Sequence, residues 1–212
     1  RTWDRFTRSL VAAGRRVVAV DLRGHGRSAR AASYLFGDFA ADITGLCDHL
    51  GFGTVDLVGH SLGGRTGSLV AQERPDLVRR LVIEESPLPL RAGDPVPEVP
   101  SHRPTLAELW HATSSLVRHP RATIAFDRTM TASAIEQFRT PDQRWWQRLP
   151  QVSAPTLFLR GARHGSMVDP RLLTEAAAAL PDCTVRDMAC GHSIHRDRFR
   201  DFESAAMPFL MG

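Results

Sequence analysis

Gly59, Ser61 and Gly63 form a G-x-S-x-G pattern. The residues before it, 54–58, are Thr-Val-Asp-Leu-Val and read as a short strand; those after it carry a helical pattern to about Glu73. A strand that turns directly into a helix needs small residues, because the backbone there bends sharply and packs closely. Such a turn holds a serine hydroxyl out above the carboxyl end of the strand. The N–H of Leu62, in the first turn of the helix, has no partner within the helix and is suited to an oxyanion. The chemistry this implies is attack of Ser61 on a carbonyl. The bland alternative, a glycine-rich turn without chemistry, leaves the strand–turn–helix context unexplained.

A serine hydroxyl is a weak nucleophile without a base. His192 ends the loop Ala189-Cys190-Gly191-His192, which follows a predicted strand from Cys183 to Met188. It is the expected base. His195 competes for the role, but stands at the start of the final predicted helix and is assigned to orienting the loop. His60 flanks Ser61, cannot usefully reach back to it, and is placed among the substrate contacts. His25 is placed at the mouth of the site. Cys190 is a weaker candidate nucleophile than Ser61. His192 and His195 lack the third and fourth ligands that zinc requires, so no metal is expected.

The elements that must position these residues follow from the apolar pattern. A helix is predicted over 3–13, a strand over 17–20, a Gly-rich turn over 21–28, and a helix from Phe39 to Leu50 ended by Gly51. After the 54–58 strand and the Ser61 helix, which Pro75 ends, a strand is predicted over 81–84. Another follows Pro155 (156–160), and Asp169-Pro170 starts a helix to about Leu180. The last predicted helix covers 197–210. Strands alternating with helices imply an α/β fold with a mostly parallel sheet flanked by helices. Residues 87–150 break the alternation. Six prolines between 87 and 104 open an excursion, and helical patterns follow over 105–118 and 121–138. This block is read as an inserted helical cap on a core of 1–86 and 151–212. Trp110, Trp145 and Trp146 are assigned to substrate contact. Leu106, Leu109, Leu116, Ile124 and Phe126 give the cap further apolar character. The competing reading for all of them is simple lid core.

The segments VVAVDLRGHGRS (17–28), DLVGHSLGG (56–64), PTLFLRG (155–161) and GHSIHRDR (191–198) resemble the α/β-hydrolase fold family. The resemblance covers essentially the whole chain. It implies a Ser–His–acid mechanism, no cofactor, and a cap at the position of 87–150. It usually places the acid about three residues beyond Gly161, where this chain has His164. The other known placement is the end of the strand after the nucleophile helix, here Ile83-Glu84-Glu85-Ser86. Successive strand residues point to opposite sides, so only one glutamate should face the histidine. Glu85 is favoured, with Glu84 and Asp169 open; Asp169 is also explained as a helix N-cap. Asp21 matches a residue that braces the Arg23–Gly26 turn. The family takes its second oxyanion donor from a strand and His-Gly loop preceding the first helix, and none precedes Arg1. The expectation is an N-terminally incomplete core.

Composition narrows the partners. The chain has 212 residues, 42% hydrophobic and 24% charged, which suits a globular domain. No apolar run approaches the ~18–20 residues of a membrane span. All 27 basic residues are Arg, scattered along the chain, with a formal charge of +4. Neither a clustered basic patch nor a reader motif points to nucleic acid. Three cysteines without a C-x-x-C imply reduced thiols and a cytoplasmic protein. The expected partner is a small-molecule substrate, with neither nucleic acid nor membrane, and the oligomeric state is left open. The resulting expectation is a serine hydrolase acting on an ester, thioester or lactone. Carbon–carbon bond hydrolysis or acyl transfer on the same triad is one alternative; a ligand-binding module without turnover is the other.

Overall fold

The computed structural model describes residues 2–95, 110, 113 and 128–212. Four parallel strands lie in the order β1 (Val55–His60), β2 (Val78–Glu84), β3 (Thr156–Gly161) and β4 (Cys183–Met188). Helix α1 (Asp4–Ala12) and α2 (Phe36–His49) precede the sheet, and α3 (Leu62–Glu73) connects β1 to β2. Helices α4 (Arg128–Arg139) and α5 (Gln143–Arg148) lead to β3, α6 (Pro170–Ala179) joins β3 to β4, and α7 (Ile194–Asp197) and α8 (Phe199–Met211) close the described chain. The architecture is the expected mostly parallel sheet flanked by helices.

The middles of the central strands, Leu81–Ile83 and Leu157–Leu159, are apolar because helices cover both faces. Leu81, Ile83 and Phe158 pack in one cluster with residues of α2, α3, α5 and α6. Val82, Leu157 and Leu159 turn the other way, into a cluster with Phe6 of α1, Ile194 of α7 and Phe202 of α8. The period of two thus divides one strand between two cores. Each fully buried side chain of this size contributes about 1.5–3 kcal/mol relative to exposure.

The predicted strand at 17–20 is not formed. Residues 15–22 have no regular secondary structure, and Val18 and Val20 are 48% and 43% exposed. Arg15 is held near β1 by an ion pair to Asp56, which also pairs with Arg79. A β-branched run becomes a strand only with a neighbouring backbone to bond. Among the described residues β1 is paired with β2 alone, and nothing fills its other edge. The Gly-rich turn that follows is braced as expected: Asp21 Oδ2 accepts from Arg27 N at 3.1 Å. The last predicted helix, 197–210, is found at Phe199–Met211, and a short helix over Ile194–Asp197 precedes it.

Residues 96–109, 111–112 and 114–127 of the predicted cap lie outside the described residues, including Leu106, Leu109, Leu116, Ile124 and Phe126. Its described ends are anchored. Met130 of α4 packs with Tyr34, Phe36 and Phe39. Asp142 caps α5 by accepting from Trp145 N at 3.0 Å, pairs with Arg65 of α3, and donates its own N–H to Leu90 O at 3.0 Å. Arg65 is buried between the rings of Phe36 and Trp145, and desolvation pushes its guanidinium down to about 10 against the opposing pull of Asp142.

Candidate active site

β1 runs two residues beyond the predicted strand, so that His60 pairs with Glu84 of β2. The ladder then continues through Ser61, whose N–H donates to Glu84 O at 2.9 Å. Ser61 has φ 52° and ψ −116°, outside the regions most side chains occupy. Such a conformation costs on the order of 1–3 kcal/mol and persists only where its surroundings enforce it. Here Gly59 allows it: a Cβ on Gly59 would collide with the Gly63 carbonyl. Leu62 begins α3, so its N–H is one of the free donors of the helix start.

β2 ends at Glu84, and Glu85 N donates to Leu159 O of β3 at 2.9 Å. Glu85 has φ 46°, in the left-handed region. Its carboxylate is completely buried and accepts four hydrogen bonds. Oε1 takes Gly161 N at 2.6 Å and Ser166 Oγ at 2.8 Å; Oε2 takes Met167 N at 3.0 Å and His192 Nδ1 at 3.3 Å. The loop after β3 and the loop bearing His192 are pressed together at Gly161 and Gly191. A Cβ on Gly161 would meet the carbonyls of Cys190 and Gly191. Ser61 and His192 are not hydrogen-bonded to each other in this structure, a looseness common in a site without substrate.

Of the two glutamates, Glu85 contacts His192, and Glu84 contacts His195 instead. Glu84 is equally buried and binds His195: its Oε1 accepts from His195 N at 2.9 Å, and the Nδ1 contacts are 2.9 and 2.8 Å. Alternation fails because Glu85 lies past the end of the strand in a left-handed turn, which brings both carboxylates towards the histidine loop. Asp169 is exposed and accepts from Arg171 N at 2.8 Å, as an N-cap of α6.

A family model described as the alpha/beta hydrolase fold matches residues 2–133. The chain belongs to the α/β-hydrolase fold family. This α/β hydrolase is 29% identical over 222 residues to the sn-1-specific diacylglycerol lipase ABHD11 of Mus musculus, across 93% of this chain and 72% of the mouse protein. It is 45% identical over 83 residues to 2-(acetamidomethylene)succinate hydrolase of Mesorhizobium japonicum, across 39% of this chain and 27% of that protein. Among solved structures, one from a study of Nitrososphaera gargenis carboxylesterases superposes with a TM-score of 0.80 at 21% identity, covering 99% of this chain and 85% of that one.

Several expected contacts of this α/β hydrolase lie elsewhere. His60 turns to the histidine loop and not outward: its Nε2 donates to His192 O at 2.7 Å, with the rings 4.5 Å apart. Burial pushes its imidazole down to about 4, opposed by Glu84 and helped by His192 and His195. Trp145 and Trp146 are core residues, their indole N–H groups donating to Ser68 Oγ and Pro89 O, both at 3.0 Å. An apolar pattern does not distinguish a pocket wall from the root of a lid. Trp110 is 67% exposed. Cys190 is a poor nucleophile because burial pushes its thiol up to about 11. Among the described residues no cluster of three His, Cys, Asp or Glu could hold a metal ion, and no helix is long and apolar enough to cross a membrane. The Glu85 partners Ser166 and Met167 escaped the sequence because they come from a loop without a motif.

Proposed function

We propose that this protein is a serine hydrolase cleaving a carboxylic ester, thioester or lactone through an acyl-enzyme. Ser61 Oγ attacks the carbonyl while His192 takes its proton; Glu85, bonded to Nδ1, leaves Nε2 as the basic nitrogen and stabilises the imidazolium that forms. The Leu62 N–H receives the oxyanion. His192 then protonates the leaving group, and water releases the acyl group by the same steps. The observation that carries this reading is the Glu85 carboxylate, fully buried yet bonded to His192 Nδ1 beside a serine with positive φ. The lipase and esterase names of its relatives favour an acyl ester as substrate. Residues 1–86 and 151–212 form the catalytic core and 87–150 the cap. Three free thiols suit a reducing, cytoplasmic setting.

Ser61→Ala tests the reading. Hydrolysis of p-nitrophenyl butyrate should fall to background, and a fluorophosphonate probe should label the native protein at Ser61 and the variant not at all. Full activity in the variant would overturn it. Folded native protein that takes up no label would point to the ligand-binding alternative.

A further inference from the structure

Glu84 joins the two halves of the site. Its carbonyl accepts the N–H of Ser61, and its carboxylate accepts both the N–H and Nδ1 of His195. The next residue, Glu85, holds His192. His195 lies 5.3 Å, ring to ring, from His60, and His60 donates to the carbonyl of His192. We infer that Glu84 and His195 form a second glutamate–histidine pair whose task is positioning: it fixes the loop of the base against the turn of the nucleophile.

The environment of the pair separates it from the chemistry. Both side chains are buried, and Trp3 stacks on the His195 ring at 4.1 Å with 13° between the planes. Among the described residues His195 Nε2 has no partner. A base needs its free nitrogen open to substrate; this one is closed off. A buried carboxylate and an unpartnered ring nitrogen both cost free energy, and an apolar pair of similar volume would fill the space more cheaply. What the hydrogen-bonded pair supplies is direction. A carboxylate bound to both a backbone N–H and the side chain of one residue fixes where that residue sits, three positions beyond His192. The pair acts through His192 and touches no substrate, so its loss should lower kcat and leave KM nearly unchanged.

The inference rests on the proposed triad, and the test separates the two. Glu84→Gln keeps the shape and can still accept from His195 N–H, but turns an amide NH2 towards Nδ1. His195→Ala removes the ring. In each, kcat on p-nitrophenyl butyrate should fall about 10–100-fold, as expected for a small misplacement of a catalytic group, with KM within about twofold. Fluorophosphonate labelling of Ser61 should slow in proportion. The downfield NMR proton of the His192–Glu85 hydrogen bond should move or vanish while circular dichroism stays native. A folded Glu84→Gln protein with native kcat and an unmoved proton would overturn the inference. If His195→Ala fails to fold, Glu84→Gln decides; if neither folds, the pair holds the fold and not the site, and the inference is overturned. If the native protein itself takes no label, the hydrolase reading fails, and the proton signal still decides the positioning role.

Discussion

At the scale of single residues, the site depends on two side chains held in backbone conformations that favour glycine. Ser61 at φ 52° and Glu85 at φ 46° are the described non-glycine residues with positive φ, and they carry the two ends of the proposed relay. Glu85→Gln isolates the charge from the shape. An amide can still accept from Gly161 N, but it offers no negative charge to the imidazolium and can present a donor to His192 Nδ1. A drop in kcat of about 10³–10⁴-fold is expected, with native circular dichroism, measured on p-nitrophenyl butyrate. A loss of tenfold or less would mean that Glu85 is not the acid. The serine was legible in the sequence because its motif is local: five consecutive residues carry the turn and the nucleophile. The acid was legible only as a short list. Choosing among Glu84, Glu85 and Asp169 depends on where a strand stops, and one left-handed residue cancels the alternation on which the choice was based. That Glu84 would find His195 was not legible, because the contact spans 111 positions of chain and no motif calls for it.

At the scale of elements, the turn between β1 and α3 works because two backbones nearly touch. Gly59→Ala places a Cβ against the carbonyl of Gly63, and backbone cannot move aside as a side chain can. The variant should lose at least tenfold in the rate of fluorophosphonate labelling and show a lower Tm, both read on the purified protein. Labelling at the native rate would show that the turn tolerates a wider path. β2 and β3 were legible because each centres on a compact apolar run, Leu81–Ile83 and Leu157–Leu159. Residues 17–20 have the same local signature and still lie outside the sheet. Local propensity supplies a willingness to pair, and the partner must come from elsewhere in the fold. The tryptophans of α5 show the converse: their aromatic character was plain, but burial against α3 was set by Arg65 and Ser68, far away in sequence.

At the scale of the whole molecule, the cluster of imidazoles behind the sheet links acidity to stability. The folded protein keeps His60 neutral, its imidazole pushed down from 6.5 to about 4 by burial. In the unfolded chain it protonates near 6.5. Below that pH the unfolded state binds the extra proton, so stability is complete above 6.5 and declines as pH falls towards 4, by on the order of 3 kcal/mol across the window. Urea denaturation at pH 7 and pH 4.5 should show this decline, and His60→Gln should remove most of it. An equal decline in the variant would assign it to other groups. The connection between Leu90 and Asp142 has a different consequence. One hydrogen bond ties the point where the chain leaves the core to the point where it returns, and Asp142 is ion-paired to the nucleophile helix. The two ends of the intervening stretch are therefore held together. The entropy of closing such a loop grows only slowly with its length. A stretch of another length between Leu90 and Asp142 should therefore add little to the entropy of closure and leave that hydrogen bond intact.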